Sequence, residues 1–342
     1  MPEKATGGGR FIASAQNIKA MLEDGDVLRM IRRRMGLGDT LGALPPECGG
    51  TGTTSPSAGV GQRIEREVWP AGVSDGAVKA VLPGIKAIAE GAFRGCSTLR
   101  EVQMPDVESI GTEAFSECTA LASARIPATA TVGTRAFGGC TAMSGVEAEP
   151  GATFGARCFS GCTGVVSASF PGGCTFEGSD IFSECPGLRE VSFGGPAGIT
   201  HFAHQTNDGV LGKNIQNGGK LVVRFAGDVK CNSGVVVGIG RANVSMAFDL
   251  TGCSSWSGGG SIAKTYMTDS AGTLYMWVPS TLARTGTAPL VSTSMSRANT
   301  SAKVFCEAAT KPDGWNADIA DGPMTEITWG ATYEQFKQAA GI

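Results

Sequence analysis

Five cysteines recur at a nearly constant spacing, and thiols are among the most reactive groups in this chain. Each stands three residues after a phenylalanine, and these phenylalanines lie 22, 22, 22 and 23 residues apart. The pairs are Phe93/Cys96, Phe115/Cys118, Phe137/Cys140, Phe159/Cys162 and Phe182/Cys185. Thiolates bind zinc when two or more ligands are close in sequence, and Cys158/Cys162 comes nearest to that spacing. Free cysteine also packs as a small apolar residue, which is the interpretation we favour.

A disulfide framework is not indicated, because the chain has eleven cysteines, an odd number. The only histidines, His201 and His204, would share one face of a helix and could there bind a metal. In a loop they need not, and the only nearby acidic residue is Asp208, so polar surface residues are the alternative. We predict no catalytic residue, no cofactor and no metal site.

The elements that carry the cysteines repeat with the same period. A unit of 22 residues cannot bury its own apolar face, so the units must stack into a solenoid. Apolar residues follow each cysteine at three and six positions and usually at eight. The last two are spaced as on one face of a strand. Prolines that would end these strands follow at 105, 127, 150 and 171.

The order L-x-x-V-x-x-P-x-x-V-x-x-I-G-x-x-A-F-x-x-C resembles the BspA-type class of leucine-rich repeats. The clearest copy reads LREVQMPDVESIGTEAFSEC from Leu99 to Cys118, and the resemblance extends over about residues 77–199. It implies a parallel-strand solenoid of a kind common in cell-surface and adhesive proteins.

We therefore predict an α/β-type solenoid of BspA-like repeats, with short parallel strands, mostly β and loop. The expected organisation has four parts. They are an N-terminal helical attachment segment (1–36), a linker rich in Gly, Pro, Ser and Thr (37–62), the repeat solenoid (63–199), and irregular repeats that continue the sheet to a C-terminal cap (200–342).

Four later strands support that continuation. They are Leu221–Phe225, Val244–Phe248, Leu274–Pro279 and Val304–Cys306. Residues 331–342 are expected to form a short helix that caps the last exposed strand. Trp315 and Trp329 fit either the core of this cap or an exposed surface.

Composition excludes several classes of function. A net charge of −3 argues against a nucleic-acid-binding protein, which needs a basic face. No run of 18 apolar residues indicates membrane insertion. The first residues have no continuous apolar stretch, so no secretory signal is expected.

The N-terminal region suggests attachment. Residues 10–36 carry an apolar helical stripe, and Arg32–Arg34 fit a solvated helix end better than a nucleic-acid patch. Residues Leu44–Ser55 resemble the L-P-x-x-x-G-G-T-G-x-T-S segment of bacteriophage tail-fibre proteins, with Cys48 where those usually carry lysine. The resemblance implies that 10–36 could contact other tail proteins. A homo-oligomer is also possible.

Outward positions on the predicted strands are the candidate binding surface, although a solvated sheet face would look the same. The candidate residues combine charged groups with later aromatic rings that we expect to be exposed. They are Arg100, Glu101, Gln103, Arg125, Arg189, Glu190, Trp256, Tyr275 and Trp277.

The leading hypothesis is a non-enzymatic phage tail-fibre or receptor-binding protein, located in the virion tail, that recognises a bacterial surface protein or glycan. The alternative is a BspA-like adhesin or interaction module on the bacterial cell surface. A depolymerase that cleaves surface glycan is a third class, but no catalytic carboxylates can be identified.

Overall fold

A computed structural model describes thirteen segments of the chain. They are residues 11–12, 62–64, 79–82, 85–203, 209–211, 220–232, 234–237, 245–264, 273–292, 301–313, 315, 319–321 and 325–342. The tail-fibre-like segment, His204 and the predicted N-terminal helices lie outside these residues. Phe11–Ile12 are the exception within the predicted helical segment, and they form a strand rather than a helix.

Short strands dominate the chain up to Phe202. They are β1 (Phe11–Ile12), β2 (Gln62–Ile64), β3 (Lys79–Val81), β4 (Ile85–Ile88), β5 (Glu101–Gln103), β6 (Ser109–Ile110), β7 (Ser123–Ile126), β8 (Thr131–Val132), β9 (Gly145–Ala148), β10 (Thr153–Phe154), β11 (Ser167–Phe170), β12 (Thr175–Phe176), β13 (Glu190–Gly194) and β14 (Thr200–Phe202).

The remaining elements include two much longer strands and one helix. They are β15 (Lys220–Cys231), β16 (Gly234–Val237), β17 (Ser245–Ser257), β18 (Ser261–Lys264), β19 (Thr273–Val278), β20 (Ala283–Arg284), β21 (Val291–Ser292), β22 (Ser301–Cys306), β23 (Ala320–Asp321), β24 (Thr325–Trp329) and α1 (Tyr333–Ala340).

Two parallel ladders run along the molecule. The first joins β1, β3, β5, β7, β9, β11, β13, β15, β17, β19, β22 and β24 in that order. The second joins β2, β4, β6, β8, β10, β12 and β14, then the second halves of β15 and β17, then β20. Strands β16, β18, β21 and β23 form a smaller parallel sheet. The predicted parallel solenoid is confirmed, and each return stretch between Pro and Phe contains a strand.

The interior is a set of columns in register from coil to coil. The phenylalanine rings of successive repeats stack nearly parallel, from Phe93 through Phe115, Phe137 and Phe159 to Phe182, with centroids 4.9, 5.1, 5.4 and 5.6 Å apart. All five are buried. A constant repeat length is what allows such stacking, because each coil then adds one ring to the same column.

Cysteines form a second buried column beside the rings. The Cys118 Sγ–H donates to the carbonyl oxygen of Phe93 at 3.0 Å, and Cys140 bonds to Phe115 in the same way at 3.2 Å. In the same way, the Cys162 and Cys185 thiols donate to the carbonyl oxygens of Phe137 and Phe159. Among the described residues all ten cysteines are buried, and none of these ten forms a disulfide. The prediction that they pack as small interior groups is confirmed.

These thiols are expected to be inert in the folded protein. Burial raises the pKa of the Cys174 thiol to about 11 and that of Cys306 to about 12, and it raises the pKa of Cys158 well above its usual value. Because the thiolate is the reactive form, a disulfide reagent at pH about 8 should leave these described thiols unmodified until denaturant is added. Rapid modification of several of them in the native protein would contradict this buried column.

The C-terminal strands continue the first ladder, as expected. Leu221, Met246, Leu274 and Ala302 are register partners in consecutive strands, although the chain between them is longer than one regular repeat. Their side chains are buried in the same interior as the phenylalanine column. Trp315 is also part of that interior, and Trp329 packs against it.

Helix α1 is present, but its predicted position is wrong. It begins after the N-cap Thr332, whose side chain and that of Gln335 bond reciprocally to each other's backbone N–H groups. The helix packs mainly on β17, β19 and β22 instead of covering the edge of β24. The reason is that its apolar side chains, Phe336 and Ala340, pack on an apolar patch on the outward side of those strands.

Candidate functional site

The candidate site lies on the outward face, by which we mean the side chains of the first ladder that point away from the solenoid interior. Burial alternates along short strands such as β11, where Ala168 and Phe170 are buried while Ser167 and Ser169 are exposed. Strand register then aligns the exposed side chains of neighbouring coils. One such row runs through Ser123, Gly145, Ser167 and Glu190.

A central groove of about 540 Å³ crosses the outward face from β7 to β13. Its exposed lining is small and hydroxyl-rich, with three charged groups. Those lining residues are Ser123, Arg125, Ser144, Gly145, Glu147, Ser167, Ser169, Glu190 and Ser192. Small residues at the floor let another backbone come close, and the hydroxyl groups can both donate and accept hydrogen bonds.

A second groove of about 630 Å³ adjoins the first on the side of β5. The two share Ser123 and Arg125, and the second is also lined by Glu101, Gln103 and Glu149. The outward face therefore offers a continuous grooved surface across five neighbouring strands.

Ion pairs frame both ends of the central groove. The Arg125 guanidinium lies 3.0 Å from a carboxylate oxygen of Glu149. At the other end the Arg224 guanidinium pairs with Glu190 and lies 4.0 Å from Asp249. The Arg125–Glu149 and Arg224–Glu190 pairs are largely exposed, so they contribute little to stability and remain available to a partner.

Four of the predicted charged or polar residues are brought together here, since Glu101, Gln103, Arg125 and Glu190 line the grooves. Arg100 and Arg189 are exposed one residue before their strands and line neither groove. The Arg189 guanidinium turns back to donate to the carbonyl oxygens of Pro186 and Leu188.

The aromatic candidates do not form an exposed cluster. Trp256 is fully buried in the interior, edge-on to Phe225 with centroids 5.3 Å apart, so it cannot contact an external ligand. Tyr275 and Trp277 do lie on the outward face, but Trp277 is buried beneath α1 and Tyr275 is half-buried. The expected exposure of Trp256 and Trp277 is wrong. The alternation of residues within these strands could not predict that β17 is long enough to bring Trp256 into the interior. Nor could it predict that α1 folds back over Trp277.

His201 lies in no metal-binding cluster of described side chains, while His204 and Asp208 lie outside the described residues. No group of three His, Cys, Asp or Glu side chains that could hold a metal occurs in the part of the chain that the structure describes. His201 lies on β14, where its Nε2 is 3.2 Å from the Asn232 amide nitrogen. Burial, followed by the nearby Lys230 charge, lowers the pKa of His201 below its usual value, which favours the neutral ring.

Three functional candidates escaped the sequence reasoning: Arg224, Asp249 and Tyr333. The Tyr333 hydroxyl donates to the Asp249 carboxylate at 2.7 Å, across 84 residues of sequence. Burial and this hydrogen bond raise the pKa of Tyr333 to about 12. The sequence contained one signal for this group. Asp249 is an isolated acidic residue at an outward position of an otherwise apolar strand.

No helix in the described part of the chain is long and apolar enough to cross a membrane.

No curated protein matches the sequence. The family described as BspA type Leucine rich repeat region matches residues 80–205 in six copies.

Several solved structures also have detectable similarity to this chain. The crystal structure of the T. pallidum leucine rich repeat protein TpLRR is 25% identical with a TM-score of 0.36, and covers 44% of this chain and 72% of that one. The pneumococcal vaccine antigen PcpA is 10% identical with a TM-score of 0.33, over 72% and 80% of the two chains.

A leucine rich cell surface protein from Faecalibacterium prausnitzii is 13% identical with a TM-score of 0.29, over 76% and 81%. By the family model alone, the repeat region between residues 80 and 205, with its stacked coils and its column of phenylalanines, is similar to BspA-type leucine rich repeats.

Proposed function

We propose that this chain is a protein-interaction module that acts at a bacterial cell surface and binds a surface protein through its outward face. The observation that carries the proposal is the central groove, which is open, hydroxyl-rich and framed by exposed ion pairs. Solenoids of this kind use long repetitive surfaces for binding, and BspA-type repeats are common in surface and adhesive proteins.

A protein partner fits this groove better than a glycan. Sugar binding draws much of its energy from aromatic rings, and the residues that line the central groove include none. Serine hydroxyl groups with flanking carboxylate and guanidinium groups suit the mixed donors and acceptors of a polypeptide.

The phage tail-fibre hypothesis has less support. It rests on residues 44–55, which lie outside the described residues, and none of the matches reported above is to a tail-fibre protein. The cell-surface interaction module, which we first considered as the alternative, is the function we favour.

Substitution in the groove should reduce binding to cells. Ser169→Arg places a long cationic side chain on the groove floor, and we expect it to lower retention on intact bacterial cells about tenfold. The matched control is Thr131→Arg, which makes a comparable change at an exposed position of the second ladder. Retention of fluorescently labelled full-length protein is measured by flow cytometry across a panel of species.

Two treatments of the cells identify the partner class. Protease treatment should abolish retention, whereas periodate oxidation of surface sugars should leave it unchanged. Loss of retention after periodate alone would point to a glycan and overturn the protein-partner proposal. Equal retention of Ser169→Arg and the wild type would rule out the central groove as the binding surface.

A further inference from the structure

One carboxylate of the central groove has no partner of its own. Glu147 lies on β9, one of the two middle strands of the groove, and its side chain is exposed. Its register partners are Arg125 in the preceding coil and Ser169 in the following one. Within the part of the chain that the structure describes, Glu147 makes neither an ion pair nor a hydrogen bond, so its charge is not compensated there.

The cation closest to Glu147 in register is engaged elsewhere. Arg125 stands opposite Glu147, a position from which opposite charges on neighbouring strands commonly pair. Its guanidinium Nε instead donates to a carboxylate oxygen of Glu149 at 3.0 Å. The other carboxylate oxygen of Glu149 accepts the backbone N–H of Ala128 at 3.3 Å, which helps to hold that carboxylate beside Arg125. Glu147 is therefore left without this cation.

The other charged groups of the groove compensate each other. Arg125 pairs with Glu149 at one end, and Arg224 pairs with Glu190 at the other. Three carboxylates and two guanidinium groups leave one net negative charge, and it belongs to Glu147. A cationic group on a partner is thus the complement that the groove lacks.

The surroundings of Glu147 suit a lysine ammonium. Ser169 lies next to Glu147 in register, and the Ser192 hydroxyl donates to its Oγ at 3.2 Å. A hydroxyl oxygen has two acceptor lone pairs, so Ser169 Oγ can accept a second hydrogen bond. Gly145, on the same strand as Glu147, carries no side chain that would obstruct the floor. An ammonium has three donors on a compact charge, which one carboxylate and nearby hydroxyl oxygens can accept, whereas a planar guanidinium presents five in a fixed fork.

We propose that Glu147 determines the specificity of the central groove by binding a lysine side chain of the partner protein. A lysine contact here rests on the proposed function and specifies the chemistry that the partner must present. Glu147 is exposed in the folded protein, so no described part of the chain has to move for the lysine to reach it.

Glu147→Gln is expected to lower retention on intact bacterial cells about fivefold, because it removes the charge and keeps the size of the side chain. Glu147→Lys places a like charge against the incoming ammonium and should lower retention further. The matched control is Glu184→Gln, which removes one exposed carboxylate outside both grooves and should behave as the wild type. Retention of labelled full-length protein is measured by flow cytometry over a range of protein concentrations. Thermal unfolding of Glu147→Gln should match the wild type, since no described contact depends on this carboxylate.

Chemical modification of the cells tests the lysine directly. A membrane-impermeant acetylating reagent converts surface amines into neutral amides, and it should lower retention of the wild type about fivefold, to the level of Glu147→Gln. Retention of Glu147→Gln itself should not fall further, because two changes that remove the same contact are not additive. Equal fold losses for the two proteins would overturn the proposal, since Glu147 and the amine would then act independently.

Further outcomes distinguish the lysine contact from the function on which it rests. Loss of retention by Ser169→Arg, with full retention of Glu147→Gln, would overturn the lysine contact and leave the groove as the binding surface. Amine-dependent retention that survives protease treatment of the cells would assign the amine to a non-protein surface polymer and overturn the contact too. Failure of the wild type to bind any cell, or undiminished retention of Ser169→Arg, would overturn the proposed function and the lysine contact together.

Discussion

Phe137→Ala is expected to lower the free energy of unfolding by about 4 kcal/mol, one of the largest effects of any single substitution in this chain. The ring is fully buried and stacks on both sides, on Phe115 at 5.1 Å and Phe159 at 5.4 Å. Its removal leaves a cavity in the middle of the column and weakens two interfaces between neighbouring coils at once. Equilibrium unfolding in denaturant, followed by circular dichroism, measures the loss.

A control separates this effect from a general cost of substitution. Ser123→Ala lies on the outward face and should change the stability by less than about 0.5 kcal/mol. If Phe137→Ala were as stable as Ser123→Ala, the column would not hold the coils together.

Gly133→Ala is expected to destabilise the protein by about 2 kcal/mol, because the added methyl group would overpack the space between two coils. Its Cβ would lie 2.7 Å from the backbone nitrogen of Thr112 and 2.8 Å from the carbonyl carbon of Gly111. Backbone atoms cannot rotate away as a side chain can, so the coils themselves would have to separate. Thermal and chemical unfolding of the variant measure the cost.

Gly145→Ala is the matched control on a strand of the same solenoid. Its Cβ would meet nothing closer than the Ser167 carbonyl oxygen at 3.6 Å, an ordinary contact. We expect the stability to stay within about 0.5 kcal/mol of the wild type. A loss at Gly145 as large as that at Gly133 would show that close approach between coils is not the cause.

The repeated part of the fold was predictable because its evidence is local and periodic. A phenylalanine every 22 or 23 residues requires each coil to add one ring to a shared column, and residues 93–182 do this. The same argument placed the cysteines inside. It also predicted the later strands, since apolar residues at alternate positions need the same interior.

The candidate site was predictable only in part. Outward positions such as Glu101 and Arg125 follow from strand alternation, and they do line the grooves. Alternation does not say where a groove lies, because that depends on small side chains such as Gly145 and Ser167 meeting across strands. Trp256 was misplaced for a related reason: β15 and β17 are long enough to pass from one ladder to the other, so residues far along them face a different part of the interior.

Periodicity in the amino-acid order sufficed to establish the stacked coils and the content of their core, since one repeat cannot bury its apolar groups without the next. Folding in three dimensions was needed to bring Tyr333 to Asp249 and the Lys220 ammonium to within 2.7 Å of the Gly341 carbonyl oxygen, across 84 and 121 residues respectively. Those contacts place α1 on the apolar patch on the outward side of β17, β19 and β22 instead of at the end of the stack. No local pattern encodes them, because the position of the helix depends on the shape and polarity of a surface that four separate strands form together.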